Sequence, residues 1–311
     1  MNVRAPVIAD ATLGGDGFRP RAGDLARDVG RYWSPCGVVR EWDPLRTVLL
    51  ARPPASLARV GDPDTALMLA RVDLARIRDE FDGLVATYRA EGVEVLRAEV
   101  PDDAPPNVIF ARDLFWMTPE GAVIARMAAE QRAGEERHAS ATLAAAGVPI
   151  RATIGGSAIL EGADVLWLGP DDVLVGVGRR TDAQAAAQLR ALGFPVEEVP
   201  VPRAVQHLLG AVNVIDRDLA IVHPSAGDAL LQALARRGIR ALALPDAHER
   251  DALRANNVVP LGPRAVVMPA GCPRARAAYE AEGVRCVEVD VTEYLKAAGG
   301  PGCLTGIVRR G

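Results

Sequence analysis

Ala90-Glu91-Gly92-Val93-Glu94-Val95-Leu96 reads as the end of a helix, a glycine, and the start of a strand. The same ending recurs at Ala144-Ala145-Ala146-Gly147-Val148, Ala191-Leu192-Gly193-Phe194, Arg236-Arg237-Gly238-Ile239 and Ala281-Glu282-Gly283-Val284. Glycine suits the left-handed conformation that closes a helix. A β-branched or aromatic residue then opens a strand. The glycines stand 55, 46, 45 and 45 residues apart. A fixed period of that size marks an internal repeat.

What lies between the glycines repeats too. Val165-Leu166-Trp167-Leu168 turns at Gly169-Pro170-Asp171-Asp172 into Val173-Leu174-Val175. Val212 to Ile215 turns at Asp216-Arg217-Asp218 into Leu219 to Val222, and Val258 to Leu261 turns at Gly262-Pro263-Arg264 into Ala265 to Met268. A further hairpin is expected from Val108 through Thr118-Pro119-Glu120-Gly121 to Ile124. Ahead of Gly92, Arg46 to Ala51 reads as a strand. A helix is expected over Ala66 to Glu91, with Leu69, Val72, Ile77, Phe81, Leu84 and Tyr88 at helical spacing.

One unit of strand, turn, strand, helix, glycine and strand cannot cover both faces of its small sheet; five around an axis can. The expected fold is therefore α/β: a propeller of five ββαβ-type modules with pseudo-fivefold symmetry. Its last strand, after Cys303, would pair with its first, near Leu49. A doubly wound nucleotide fold competes, supported only by Gly176-Val177-Gly178 before a helix. Residues 1–38, rich in Gly, Pro, Asp and Arg, read as an arm, and residues 39–311 as a single catalytic domain.

The 311-residue chain has a net charge of −4, so nothing general draws it to nucleic acid or an anionic membrane. No run approaches a membrane span of ~20 apolar residues, and no signal peptide follows Met1. Cys36, Cys272, Cys286 and Cys303 form no C-x-x-C pair, and no His/Asp cluster has metal-ligand spacing. The expectation is a cytoplasmic protein with free thiols, no metal and no cofactor. Its partner would be a small molecule, with a homodimer left open.

In such a ring the axial site is lined by the heads of the modules. Asn107-Val108-Ile109-Phe110-Ala111-Arg112-Asp113 heads the second, Glu161-Gly162-Ala163-Asp164 the third and Gln206-His207 the fourth. Gly299-Gly300-Pro301-Gly302-Cys303-Leu304-Thr305 supplies a thiol at the closing end. A thiolate needs a nearby base or cation, which His207 can provide, and histidine can protonate a leaving amine. Two carboxylates facing a planar cation would bind it through paired hydrogen bonds. A guanidinium has that shape. Its carbon is a poor electrophile that must be held still while sulfur attacks one face. Read alone, Asp113 and Glu161 could equally be turn or cap residues, and His207 a satisfied core histidine.

These motifs together resemble the guanidino-group-modifying enzymes of the pentein fold: dimethylarginine dimethylaminohydrolases, arginine deiminases and arginine:amine amidinotransferases. The resemblance runs from about Val39 to the C-terminus. It is strongest to the bacterial dimethylarginine hydrolases over Val267-Met268-Pro269-Ala270-Gly271 to Glu293-Tyr294. It implies Cys303 as nucleophile, His207 as general acid/base, and Glu161 orienting the histidine or the guanidinium. It implies that Asp113 hydrogen-bonds the guanidinium, with Asn107 and Asp164 also in the substrate site. Arg132 and Arg180 match positions that hold the substrate α-carboxylate. Asn107 stands where those hydrolases resemble Asp and is more like the deiminases.

The implied activity is hydrolysis of arginine or an Nω-methylated arginine to citrulline through a thiouronium on Cys303. Amidino transfer to an acceptor amine is the alternative within this chemistry. A ring used only as a binding scaffold is the alternative outside it.

Overall fold

The computed structural model describes residues 17–311. Residues 1–16 of the expected arm lie outside the described residues. Five three-stranded sheets stand in a ring, each on the same plan. The second module holds β3 (Phe115–Thr118), β4 (Gly121–Ile124) and β5 (Ile150–Thr153). The third holds β6 (Val165–Gly169), β7 (Asp172–Val177) and β8 (Val196–Pro200), and the fourth β9 (Val212–Asp216), β10 (Leu219–Val222) and β11 (Arg240–Leu242). The fifth holds β12 (Val259–Gly262), β13 (Ala265–Pro269) and β14 (Arg285–Val289). In each, the first two strands pair antiparallel and the third joins the second in parallel after an outer helix.

The first module is built from both ends of the described chain. Its central strand β1 (Leu45–Ala51) pairs in parallel with β2 (Glu94–Ala98) and antiparallel with β15 (Gly306–Arg310). Leu49 lies opposite Gly306, so the seam closes where the repeat required it. Five separate sheets rule out one doubly wound sheet. Gly176 has a packing role instead: a Cβ there would stand 2.7 Å from Leu208 Cβ and 3.2 Å from Asp164 Oδ1.

The five repeat glycines all have positive φ, between 69° and 95°. Each ends an outer helix whose apolar stripe packs on its sheet. In Leu74–Ala90 the buried residues are Ile77, Phe81, Leu84, Val85 and Tyr88, at helical spacing. Asp73 caps that helix, accepting from the Ala75 and Arg76 N–H groups. The cap explains why the helix begins at Leu74 and not at Ala66. Leu69 lies in the turn before it, 68% exposed. The second-module hairpin likewise starts at Phe115: Val108 belongs to a helical turn, Pro106–Ile109.

Of the expected arm, Leu25–Asp28 forms a short helix. Ser34 donates to the Gly147 carbonyl and Gly37 to that of Val308, at 2.9 Å each. Among the described residues no helix is long and apolar enough to cross a membrane.

Candidate active site

Short helical turns head four of the modules and carry the expected side chains. Asp113 ends the turn Ala111–Asp113 before β3. Glu161 precedes, and Asp164 ends, the turn Gly162–Asp164 before β6. His207 precedes Leu208–Ala211 before β9, and Cys303 lies in Pro301–Leu304 before β15. Glycine lets these heads touch. A Cβ on Gly162 would overlap the Phe115 carbonyl, and one on Gly299 would overlap the Phe110 ring.

The heads bring His207, Glu161 and Asp113 together. His207 Nε2 lies 2.6 Å from Glu161 Oε2, and its Nδ1 is 3.9 Å from Asp113 Oδ1. Burial alone would lower the imidazole's affinity for a proton. The carboxylates of Asp113, Asp164 and Glu161 outweigh it and raise the His207 pKa to about 9. Burial would raise Glu161; its bond to His207 and the nearby Arg132 and Arg180 reverse that and hold it well below the usual range. The pair is therefore an imidazolium on a carboxylate at neutral pH.

Glu161 has little capacity left. Its Oε1 accepts from the Ala128 N–H at 3.2 Å and Arg180 Nη1 at 3.3 Å, and its Oε2 takes Arg132 Nη1 at 3.5 Å besides His207. The shortest of these contacts is the 2.6 Å one to His207 Nε2. Asp113 differs: Oδ2 accepts from Arg132 Nη1 at 2.7 Å, but the buried Oδ1 has no hydrogen-bond partner. Such an orphaned acceptor is costly unless a ligand fills it.

Cys303 is partly buried beside the Asn257 carboxamide. Asn257 Nδ2 donates to Sγ at 3.3 Å, and its Oδ1 accepts from the Cys303 N–H at 3.1 Å. Burial, with the negative charge of Asp113, raises the thiol pKa; the Gly300 backbone, Arg254 and Asn257 pull it back only in part. A thiolate held ready by His207, as the sequence suggested, does not describe this resting state.

Three expected substrate contacts are placed differently. Arg132 is 1% exposed, and all three of its guanidinium nitrogens are engaged within the protein. Nε bonds Glu135 Oε2 at 2.9 Å, Nη1 faces Asp113 and Glu161, and Nη2 faces Glu135 and the Asn107 carbonyl. Its guanidinium braces three buried carboxylates. Asp164 is equally internal: Oδ1 accepts the Leu208 N–H at 2.7 Å and Oδ2 the Thr181 hydroxyl at 2.8 Å. It holds the turn behind His207, and burial raises its pKa to about 6. Asn107 is buried, with Nδ2 donating to the Ala66 carbonyl at 2.7 Å. Arg180 stays near the site, its side chain 16% exposed against Glu161.

Ligand atoms of Asp113, Glu161 and His207 lie within 4.8 Å of one another, as around a metal. Arg132 Nη1 already supplies a cation to both carboxylates.

A cavity of about 310 Å3 opens over Cys303 and His207 and is also lined by Gln206, His223, Arg254 and Asn257. That is at the lower end of small-ligand pockets, roughly 300–1,000 Å3. Arg254 and Asn257 were missed in the sequence. They sit in the turn that heads the fifth module, before β12, where Asn257 N–H donates to the Arg254 carbonyl at 2.8 Å. The rule that found the other heads would have found them: Leu253-Arg254-Ala255-Asn256-Asn257 is the matching stretch.

Comparison with known proteins agrees with this architecture. The arginine deiminase family model matches residues 102–237. An N(G),N(G)-dimethylarginine dimethylaminohydrolase of Streptomyces coelicolor is 31% identical over 266 residues, covering 84% of this chain and 96% of that one. Among solved structures, a mutant dimethylarginine dimethylaminohydrolase of Pseudomonas aeruginosa complexed with citrulline superposes with a TM-score of 0.70 at 23% identity, covering 85% of this chain and 99% of that one. An amidinotransferase from Microseira wollei, of a saxitoxin biosynthetic pathway, gives 0.73 at 16% identity over 89% and 98%.

Proposed function

The chain belongs to the guanidino-group-modifying enzymes of the pentein superfamily, with the dimethylarginine dimethylaminohydrolases, and from that premise we propose that it hydrolyses the guanidinium carbon of arginine or an Nω-methylated arginine. The observation that carries the reading is Asp113 Oδ1: a buried carboxylate oxygen with no hydrogen-bond partner, 3.9 Å from His207 Nδ1, on a residue whose negative charge raises the Cys303 thiol. A guanidinium N–H satisfies it.

The chemistry follows from these groups. A cation bound at Asp113 offsets the charge that raises Cys303, so the thiol ionises once substrate is in place. Sulfur attacks Cζ, the C–N bond to the leaving amine breaks, and His207 protonates that amine. The thiol's proton, in net, leaves with the amine. Water then adds to the Cys303 thiouronium, and citrulline, the free thiol and one proton are released. Splitting the reaction through a covalent adduct replaces one high barrier with two lower ones. Glu161 keeps His207 charged and oriented; Asn257 holds the sulfur.

We read residues 39–311 as the catalytic unit, because β15 carries both the nucleophile's flank and the closing pair with β1. The four free cysteines suit a reducing cytoplasm.

The test is product mass spectrometry with L-arginine, monomethyl- and dimethyl-L-arginine, each with and without glycine as acceptor amine. Citrulline with the matching amine, independent of glycine, is expected, with a mass adduct on Cys303 after acid quench. Ornithine formed only with glycine would make the enzyme an amidinotransferase. Unchanged turnover in Cys303→Ala would remove the mechanism.

A further inference from the structure

A second, much smaller cavity lies on the ring axis. Its volume is about 10 Å3, room for one water-sized body. Leu166, Val214, Val259 and Ile307 line it from β6, β9, β12 and β15, and Arg112 reaches it from the head of the second module. All five modules therefore meet there. Gly302 and Thr305 also line it, which places it behind the turn that carries Cys303.

Two arginines and one carboxylate, Glu41, border this space. Arg112 is 6% and Arg310 7% exposed. Glu41 is fully used: Oε2 accepts from Arg112 Nη2 at 3.0 Å and Oε1 from the Trp167 N–H at 3.2 Å. Arg310 is held only by neutral oxygens, its Nη1 donating to the Asp43 and Pro260 carbonyls at 2.8 Å each. Among the described residues Arg310 Nε, Arg310 Nη2 and Arg112 Nε have no hydrogen-bond partner.

Every one of these unpartnered atoms is a donor, and a guanidinium has no acceptor. The cluster also carries one positive charge more than Glu41 offsets. Burial, helped by the charge of Arg112 and opposed by that of Glu41, pulls the Arg310 pKa down to about 10. A buried cation without a counter-charge is costly. A water molecule would accept from these donors but leave the charge in place. A sulfate, phosphate or carboxylate is larger than the space.

We infer that the axis holds a small monovalent anion, a chloride, between Arg112 and Arg310. The ion accepts from the free donors of both guanidiniums and cancels the surplus charge. It closes the centre of the ring on the side of the nucleophile's turn away from the active-site cavity. The inference is independent of the guanidine reading, since no group in it touches substrate.

Crystals of protein refolded from urea into sodium bromide test it directly. Anomalous scattering should show one bromide between Arg112 and Arg310. Density fitted by water alone, with no anomalous signal, overturns the inference. Urea unfolding of the wild type is then followed from ~1 to ~300 mM chloride, with total salt fixed by sodium gluconate, whose anion is too large for the space. An ion bound only by the folded state lowers the unfolding constant about tenfold for each tenfold rise in chloride above its Kd. A flat response overturns the inference.

Arg310→Met separates this ion from general salt effects. It removes the surplus charge and most of the free donors, so its unfolding constant should not respond to chloride, whatever its absolute stability. A chloride response equal to that of the wild type overturns the inference. Should the variant fail to fold, the two wild-type measurements decide.

Discussion

Asn257 holds Cys303 at two points, donating to Sγ at 3.3 Å and accepting from its backbone N–H at 3.1 Å. The glycines around the thiol are fitted to that amide. A Cβ on Gly300 or Gly302 would stand 2.9 or 3.0 Å from Asn257 Oδ1. Asn257→Ala should therefore raise the thiol pKa further and lower kcat/KM about 10–100-fold, the worth of ~1.5–3 kcal/mol for a hydrogen bond to a charged group. The pH dependence of Cys303 alkylation measures the first and initial rates the second. An alkylation profile that does not move would leave Asn257 with a packing role.

The elevated His207 sets an alkaline limb. On the proposed mechanism, in which the imidazolium protonates the leaving amine, activity should fall as pH passes about 9, where that imidazolium is lost. In Glu161→Gln one of the carboxylates raising it is gone, so the limb should shift to lower pH while kcat drops. Stability is linked to the same group. Its folded pKa lies above the ordinary ~6.5, so its contribution is fully present below that pH and disappears as pH rises through about 9. Thermal melts of wild type across that window should decline, and those of Glu161→Gln should decline less.

Arg132 predicts a stability effect ahead of a binding effect. Three buried carboxylates, Asp113, Glu135 and Glu161, depend on its charge. Burial already raises Glu135 to about 8 despite Arg132. Arg132→Met should cost roughly 3–5 kcal/mol, as when one partner of a buried ion pair is removed. Urea unfolding measures it, with the exposed Arg276→Ala, within about 0.5 kcal/mol of wild type, as the control. Equal midpoints for the two variants would contradict the bracing role.

Gly299→Ala drives a methyl into the Phe110 ring, which lies 5.8 Å beneath the Arg132 guanidinium. Overpacking of this kind typically costs about 1–3 kcal/mol. The variant should unfold at lower urea. Phe110→Leu in the same background should recover part of the loss; a double variant no more stable than Gly299→Ala would place the strain elsewhere.

The ring was legible in the sequence because its signal is local and repeated. Gly92, Gly147, Gly193, Gly238 and Gly283 each mark a helix end by backbone conformation alone. The module heads followed from that period, and so did Cys303, His207, Glu161 and Asp113. What a buried side chain faces was not legible. Arg132 and Asp164 have the residue types of substrate contacts, yet the burial of Glu135 and the N–H of Leu208 claim them first. Arg254 and Asn257 carry no distinctive motif, and only their position before β12 gives them meaning.

The seam between β1 and β15 has a consequence for synthesis. A ribosome that has released residues up to 300 has already made Asp113, Glu161, His207 and Arg254, but not the sulfur. Cys303 emerges on the segment that also pairs Gly306 with Leu49. A chain that stops short of this segment lacks both the sulfur and the strand that closes the first sheet, so the thiol meets His207 only in a ring that has shut.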